Sequence, residues 1–149
     1  MEIPNGQLVQ IGVIHSPYKD KSEAPFQGRF KQDTSTIEVF EEYESALKDV
    51  ETCSHLMILY WQDKGDRKKL QAKTPWGEEI HGVFATRSPN RPNPVAVCVV
   101  DLQKRDGRLL TVNSMDAVDG SPLIDIKPYS AKVDCIPDAV VGWNKEGKF

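Results

Sequence analysis

The sequence is poor in cysteine, has no long apolar run and carries no large excess of charge of either sign. Its three cysteines are widely spaced, with no pair two residues apart, so neither a disulfide framework nor a zinc knuckle is predicted. The apolar runs are about six residues long, whereas a transmembrane helix needs about 18 or more. The first ten residues are polar and predict no secretory signal. We therefore expect a protein of the reducing cytoplasm, with no membrane span and no metal ion.

Length and composition are those of one globular domain. The chain has 149 residues, of which 39% are hydrophobic and 28% charged, which excludes the disordered and fibrous classes. The net charge is −3, from 19 basic and 22 acidic residues, and this is untypical of a protein that coats nucleic acid non-specifically. The charges are unevenly distributed, since 38–51 is acidic and 64–73 is basic. The basic stretch is interpreted either as a solvated loop or as a patch that meets an anion.

Most apolar stretches are short and rich in branched side chains, which is typical of β-strands. Two of them flank 104–107, where an Asp-Gly pair supplies the backbone angles of a tight hairpin. One helix is predicted over 41–50, because Tyr43, Leu47 and Val50 form an apolar stripe. The predicted strands are 8–15, 36–40, 55–62, 81–85, 95–103, 108–114 and 123–127. The sequence therefore predicts a mainly β fold, a small antiparallel β-barrel or curved sheet with one or two short helices, and it disfavours a doubly wound α/β fold.

A proline-rich segment, 82–94, has a composition that is unusual for a strand or a simple connection. Three of its prolines fall within six residues, and each fixes its own φ and biases the preceding residue towards extended geometry. The resulting stiff loop presents Arg87 and Arg91. Guanidinium groups fit a carboxylate or a phosphate through two parallel hydrogen bonds. We interpret the loop as an anion-binding element, the alternative being arginines that only pair with surface acids.

A second segment, 115–129, contains an Asp-Gly-Ser-Pro turn. Gly120 permits close approach of the backbone, and Asp119 can accept hydrogen bonds from its own backbone or from a ligand hydroxyl. From composition alone, a plain turn before a strand is the favoured interpretation of this segment. A third segment, 16–30, offers Phe26 and Gln27, an aromatic ring and an amide suited to a flat heterocycle.

Four stretches together resemble the TsaA/TrmO family: IGVIHSPYKDK at 11–21, SHLMILYW at 54–61, GVFATRSPNRPNP at 82–94 and DGSPLIDIKPY at 119–129. The resemblance covers about 8–137 in the right order, within a single domain over 1–149, and leaves 138–149 as a C-terminal tail. It implies a TsaA-like β-barrel, a homodimer, and S-adenosyl-L-methionine bound close to the subunit interface. The known member of the family methylates the exocyclic nitrogen of threonylcarbamoyladenosine beside the tRNA anticodon. The resemblance therefore implies a cofactor-dependent tRNA methyltransferase.

The resemblance also implies which residues contact the cofactor. Arg87 would hold an anionic group, Asp119 would bind a polar edge of the cofactor, and the main chain near Phe26 would frame the adenine. Arg91 and Lys127 are the candidates for substrate binding. No catalytic base can be named from the sequence. The implied cofactor contacts are Pro25, Phe26, Gln27, Asp63, Lys64, Arg87, Val97, Ala117, Val118, Asp119 and Gly120.

The sequence departs from the family pattern in three ways. Family members often have a basic residue where Phe26 stands, and a Phe-His pair where Gln62 and Asp63 stand. The bacterial tRNA enzymes also carry an additional C-terminal domain, whereas this sequence ends at Phe149. We therefore expect tRNA to be held by the barrel dimer, through the basic stretch 64–73, or by a partner. Two other functions stay open: a methyltransferase acting on a small molecule or a protein, and a non-catalytic barrel that binds RNA or a nucleotide.

Overall fold

The structure is a computed structural model that describes residues 3–144, apart from the side chain of Phe30. The strands in this range are β1 (Gly12–His15), β2 (Thr34–Val39), β3 (His55–Trp61), β4 (Gln71–Lys73), β5 (Ile80–Gly82), β6 (Val95–Asp106), β7 (Leu109–Asn113) and β8 (Ser121–Pro128). One α-helical turn, α1, spans Ala131–Asp134, and short 3-10 helices span Gly28–Phe30, Glu41–Leu47, Val50–Thr52 and Val83–Ala85.

Six strands close into a barrel in the order β1, β2, β7, β6, β3, β8, with every neighbouring pair antiparallel. β4 and β5 form a separate two-stranded ribbon. Closure leaves no barrel strand with an unpaired edge, which removes a common site of aggregation. The prediction of a mainly β fold with a small antiparallel barrel and few short helices is confirmed.

The barrel interior is filled by the alternate residues of its strands. In β3, for example, Leu56, Ile58 and Tyr60 are 0%, 0% and 4% exposed, while their sequence neighbours are half-buried. This period of two is the pattern of a strand with one face in a core. Each large side chain buried in this way stabilises the fold by about 1.5–3 kcal/mol. The other large side chains that are almost fully buried in the core are Ile14, Ile37, Leu110, Met115, Leu123, Val100 and Val112.

The hairpin predicted around 104–107 is confirmed, with β6 longer and β7 slightly shorter than expected. Asp106 pairs with Leu109, so Gly107 and Arg108 alone form the loop. Gly107 has a φ of +60°, an angle that glycine adopts without the steric cost borne by other residues. The Asp-Gly dipeptide thus reverses the chain where the sequence indicated.

The prediction of an α-helix over 41–50 is wrong. The chain instead forms a 3-10 helix over Glu41–Leu47 and a second over Val50–Thr52. Asp49 separates them with a left-handed φ of +72°. Only Leu47 of the predicted stripe is fully buried. The segment next to the core is therefore built from two short helical pieces, and 3-10 helices occur mostly as short pieces.

In two predicted strands, more than two of the predicted residues lie outside the observed strand, and one strand was missed. β1 begins at Gly12, because Leu8 and Val9 are 64% and 53% exposed and have no core to pack against. The predicted strand 81–85 is β5 followed by a 3-10 helix. The missed strand is β4, which lies inside the basic stretch 64–73 and pairs with β5.

All three cysteines are free: Cys53 is half-buried, Cys98 is buried and Cys135 is exposed. Among residues 3–144, no helix has the length and apolar character needed to cross a membrane. The predicted tail 138–149 lies partly outside the described residues, which end at Asn144.

Candidate functional site

A cavity of about 1220 Å³ opens at one end of the barrel. The antiparallel register places the end of β3 beside the start of β6, since Trp61 pairs with Val95. It also places the end of β1 beside the start of β8, since Ile14 pairs with Ser121. The connections that leave these strand ends therefore meet, and the three segments singled out in the sequence all contribute to the cavity wall.

The proline loop, 86–94, is held by its own side chains. Pro94 is buried and its carbonyl accepts a hydrogen bond from the Gln62 N–H at 2.9 Å. The Arg91 guanidinium donates to the carbonyls of Thr86 at 2.8 Å and Ser88 at 3.1 Å. Arg91 lines the cavity, but its Nη1 is used to brace the loop. Both arginines lie at the cavity, and whether Arg91 also binds substrate stays a prediction.

Arg87 is the exposed arginine of the proline loop. Its Nη1 donates a hydrogen bond to Gln27 Oε1 at 3.2 Å, a contact that crosses from the proline loop to the segment after β1. Both side chains line the cavity. The residue therefore places a planar, permanently charged donor group at a polar wall of the cavity.

The basic stretch packs against the proline loop. A Cβ on Gly65 would lie 2.2 Å from the Pro89 carbonyl oxygen, so only glycine allows this approach. Arg67 donates to the Pro92 carbonyl at 2.8 Å and lies over the Trp61 ring at 5.2 Å. The sequence suggested that 64–73 is either a solvated loop or a patch that meets an anion. Arg67 has a different role, because it supports the proline loop. Three lysines of the stretch line the cavity: Lys64, Lys69 and Lys73.

The Asp-Gly turn is tied to the segment that follows β1. Asp119 Oδ1 accepts a hydrogen bond from the Ser16 N–H at 3.0 Å, and the Asp119 N–H donates to the Tyr18 carbonyl at 2.7 Å. Gly120 has a φ of +85°, which disfavours any residue with a side chain. The turn is thus more than a plain link into β8, since it fixes one wall of the cavity.

Most of the residues implied by the resemblance line this one cavity. They are Pro25, Phe26, Gln27, Asp63, Lys64, Arg87, Arg91, Val97, Val118, Asp119 and Gly120. Segments that are far apart in the sequence, the proline loop and the Asp-Gly turn, are therefore brought to a single cavity. Which of these side chains bind a ligand stays a prediction.

Two of the implied residues lie elsewhere. Ala117 is 1% exposed, and its carbonyl accepts a hydrogen bond from Ser16 Oγ at 2.7 Å. This contact ties the residues before the Asp-Gly turn to the segment after β1. Lys127 lies six residues after Ser121 on β8, about 20 Å along the strand, and pairs with Asp125 at 3.0 Å. Lys127 is therefore not among the residues that line this cavity, and its substrate role stays a prediction.

Aromatic residues of the cavity wall were missed from the sequence. Trp76, in the connection between β4 and β5, contacts Phe26 edge-to-face with ring centroids 5.0 Å apart. Trp143 stacks on His81 at 4.3 Å and donates from Nε1 to the Ala85 carbonyl at 2.8 Å. Each is separated from the proline loop and the turn by many residues, so no local pattern could place it here.

An acid was also missed: Asp116, three residues before the recognised turn aspartate. Its half-buried carboxylate lines the cavity together with Tyr60, whose hydroxyl donates to Asp116 Oδ1 at 2.7 Å. Burial raises the pKa of Asp116, although the hydrogen bond from Tyr60 acts in the opposite direction. Burial also raises the pKa of Tyr60, so its hydroxyl stays protonated and remains a donor.

A second, smaller cavity of about 450 Å³ shares no lining residue with the first. His55 Nε2 lies 2.7 Å from Asp101 Oδ1, and Ser54 Oγ lies 2.8 Å from His55 Nδ1. Arg29 also binds Asp101, at 3.0 Å, and holds the pKa of that carboxyl down. These contacts satisfy one another and join β3 to β6. Within residues 3–144, no cluster of three or more His, Cys, Asp or Glu side chains could hold a metal ion.

Comparison with known proteins gives consistent matches. A family model described as the tRNA-methyltransferase O N-terminal domain matches residues 13–135. A probable S-adenosyl-L-methionine-binding protein of Archaeoglobus fulgidus is 54% identical over 140 residues, covering 94% of this chain and 38% of that protein. The tRNA (adenine(37)-N6)-methyltransferase of Escherichia coli is 38% identical over 144 residues, covering 89% of this chain and 61% of the enzyme.

Solved structures match in the same way. A crystal structure of TrmO from Pseudomonas aeruginosa has a TM-score of 0.80 and 29% sequence identity, and covers 96% of this chain and 64% of that one. This chain therefore spans less than two thirds of the length of each of these three proteins. A second S-adenosyl-L-methionine-binding protein of A. fulgidus, 47% identical over 129 residues, is covered over 93% of its length.

Proposed function

This chain belongs to the tRNA-methyltransferase O family of S-adenosylmethionine-dependent methyltransferases, and from that membership we propose that it methylates the exocyclic nitrogen of threonylcarbamoyladenosine in the tRNA anticodon loop. The observation that carries the proposal is the convergence of the proline loop and the Asp-Gly turn on one cavity. An enzyme with this substrate works in the cytoplasm.

The chemistry of the cavity wall fits S-adenosylmethionine. The cofactor has a carboxylate, which suits the Arg87 guanidinium, and an ammonium and a ribose, which suit acceptors such as Asp119 and Asp63. Phe26, 60% exposed, and Val97, 40% exposed, leave apolar surface in the wall that a flat base would cover. Drug-sized ligands occupy cavities of roughly 300–1,000 Å³, so a volume of about 1220 Å³ leaves room for part of a second substrate.

The bound cofactor supplies an electrophilic methyl carbon on a positively charged sulfur. The protein's task is to position it. A well-oriented pair of reactants can recover about 7–11 kcal/mol of the barrier, and the stiff proline loop limits the motion that would misalign them. Arg87 would hold the carboxylate end of the cofactor, Asp119 would hold a polar edge, and Phe26 would contact the adenine ring.

Basic side chains around the cavity support a nucleic-acid substrate despite the net negative charge of the chain. Lys21, Lys64, Lys69 and Lys73 lie in the wall, where they can meet the backbone phosphates that flank the target nucleotide. The target base must leave its stack to reach the cavity. An anticodon loop, already unpaired, makes that step less costly than a duplex would.

We propose further that the protein acts as a homodimer. Apolar side chains lie exposed on and next to the two-stranded ribbon, among them Phe84 at 81%, Leu70 at 67% and Ile80 at 62%. β4 of this ribbon lines the cavity. A second copy that covered them would bury this surface and complete the cavity wall. Analytical ultracentrifugation tests this: the wild type should sediment as a dimer and Phe84→Asp as a monomer. A monomeric wild type would contradict the dimer.

The decisive test of the proposed activity is methyl acceptance. Two matched tRNAs, one carrying and one lacking the threonylcarbamoyl group, are incubated with the protein and labelled S-adenosylmethionine, and the nucleosides are analysed by mass spectrometry. We expect a mass gain of one methyl group on the modified adenosine only. Cofactor binding without methylation of either tRNA would indicate a small-molecule or protein substrate. Absence of cofactor binding would indicate a non-catalytic RNA- or nucleotide-binding barrel.

A further inference from the structure

A carboxylate that the proposed function has not yet used lies in the cavity wall. Asp116 sits between the last residues of β7 and the Asp-Gly turn, and its side chain lines the cavity. The Tyr60 hydroxyl donates to its Oδ1 at 2.7 Å, and Tyr60 is 4% exposed. A buried donor therefore holds the carboxylate in place at the wall of the cavity where substrates would bind.

The groups around Asp116 come from several elements. Tyr60 lies on β3 and Cys98 on β6, and the pKa of each is raised, mainly by burial and then by the charge of Asp116. Tyr18, from the segment after β1, has its pKa raised by burial and by its hydrogen bond to Asp33. The charged side chains that share the cavity wall include Arg87, Asp63, Asp119 and the lysines named above.

Of Asp116, the two tyrosines and the cysteine, only Asp116 is a carboxyl, so it is the one suited to accept a proton. Tyr18, Tyr60 and Cys98 all hold their protons more tightly than usual. The pKa of Asp116 is raised by burial, with hydrogen bonds from Tyr60 and Cys98 opposing the rise. A carboxylate with a raised pKa is a better proton acceptor than an exposed aspartate, and catalytic bases are tuned in this way.

We propose that the Asp116 carboxylate is the base that takes the proton from the attacking exocyclic nitrogen. This inference rests on the proposed function. The nitrogen forms a bond to the methyl carbon as the carbon–sulfur bond breaks, and the electrons of that bond remain on sulfur, which becomes neutral. The N–H electron pair stays on nitrogen, and the proton passes to an Asp116 carboxylate oxygen. Charge and atoms balance without a further reactant.

Tyr60 is then a positioning residue. Its hydrogen bond fixes the orientation of the carboxylate and favours the charged form. Tyr60→Phe should therefore raise the pKa of Asp116 and move the acidic limb of the pH–rate profile to higher pH. A purely structural role for Tyr60 would lower stability without moving that limb.

The experiment compares Asp116→Asn, Tyr60→Phe and the control Asp106→Asn, which makes the same change at the exposed hairpin. Carboxyl carbons of the free protein are titrated by NMR, cofactor binding is measured by calorimetry, and kcat is measured on modified tRNA across pH. We expect a raised Asp116 pKa in the wild type and a higher one in Tyr60→Phe. Asp116→Asn should bind cofactor normally, lose about 100-fold or more in kcat, and lose the acidic limb. Asp106→Asn should match the wild type.

Two results would overturn the inference. If Asp116→Asn keeps the wild-type kcat and pH profile on tRNA that the wild type methylates, Asp116 is not the base and the proposed function stands. If the wild type methylates no tRNA, the proposed function fails and this inference fails with it. An ordinary Asp116 pKa in the NMR titration would remove the physical reason for choosing this carboxylate.

Discussion

Replacing Arg87 by alanine tests how the cavity holds its cofactor. A hydrogen bond to a charged group contributes about 1.5–3 kcal/mol, which corresponds to about a tenfold to 150-fold change in Kd. Arg87 is exposed in the free protein, so solvent and salt screen part of this interaction. We therefore expect the lower part of the range, a Kd for S-adenosylmethionine that is about 10- to 30-fold higher.

The assay is isothermal calorimetry at two salt concentrations, with Arg87→Lys and Arg108→Ala measured beside Arg87→Ala. Lysine keeps the charge but loses the planar fork, so its Kd should fall between those of the wild type and the alanine variant. Arg108 lies in the hairpin loop and donates to the Val39 carbonyl at 2.9 Å, so its variant should bind cofactor normally. Unchanged binding by a folded Arg87→Ala protein would refute the role given to this guanidinium.

Three further predictions address the loops and the acids of the site. Gly65→Ala should lower the free energy of unfolding, measured by urea denaturation, by about 1–3 kcal/mol. The reason is that the added Cβ would lie 2.2 Å from the Pro89 carbonyl oxygen. If the variant is as stable as the wild type, the basic stretch and the proline loop do not pack as described. Asp116→Asn should be more stable than the wild type at pH 7. The raised pKa of Asp116 makes the folded state bind the proton more tightly than the unfolded state, so wild-type stability falls as pH rises from the unfolded pKa through the folded pKa. The difference between the two proteins should vanish in thermal melts below the unfolded pKa of about 3.9, and an opposite sign would contradict the raised pKa. Lys69→Gln should weaken tRNA binding and reduce its salt dependence by about one unit of slope, while Lys104→Gln, at the hairpin, should change neither.

The barrel was predictable because its strands obey a simple rule. Alternation of buried and half-buried residues in β3 and the Asp-Gly pair before β7 are local features that the sequence displays directly. The helix prediction failed because tertiary packing, which the local sequence does not display, decides the conformation of that segment. The stripe around Leu47 has helical spacing, but tertiary packing needs only one buried side chain there, and the left-handed Asp49 redirects the chain.

The candidate site was predictable only in part. The proline loop and the Asp-Gly turn were singled out because their residues restrict the backbone in recognisable ways. Asp116 and Trp76 were missed because their importance comes from partners distant in sequence: Tyr60 in one case and Phe26 in the other. The loop-bracing contacts of Arg91 were not predictable, because the sequence shows a guanidinium but not the carbonyls that its Nη1 contacts.

A crystal structure with S-adenosylhomocysteine would show whether the large cavity is the cofactor site. We expect density for the ligand in that cavity, with its carboxylate within hydrogen-bond distance of Arg87, its adenine near Phe26 and its sulfur on the side of the cavity that holds Asp116. Density in the second cavity, beside His55 and Tyr129, with the large cavity empty, would contradict this expectation.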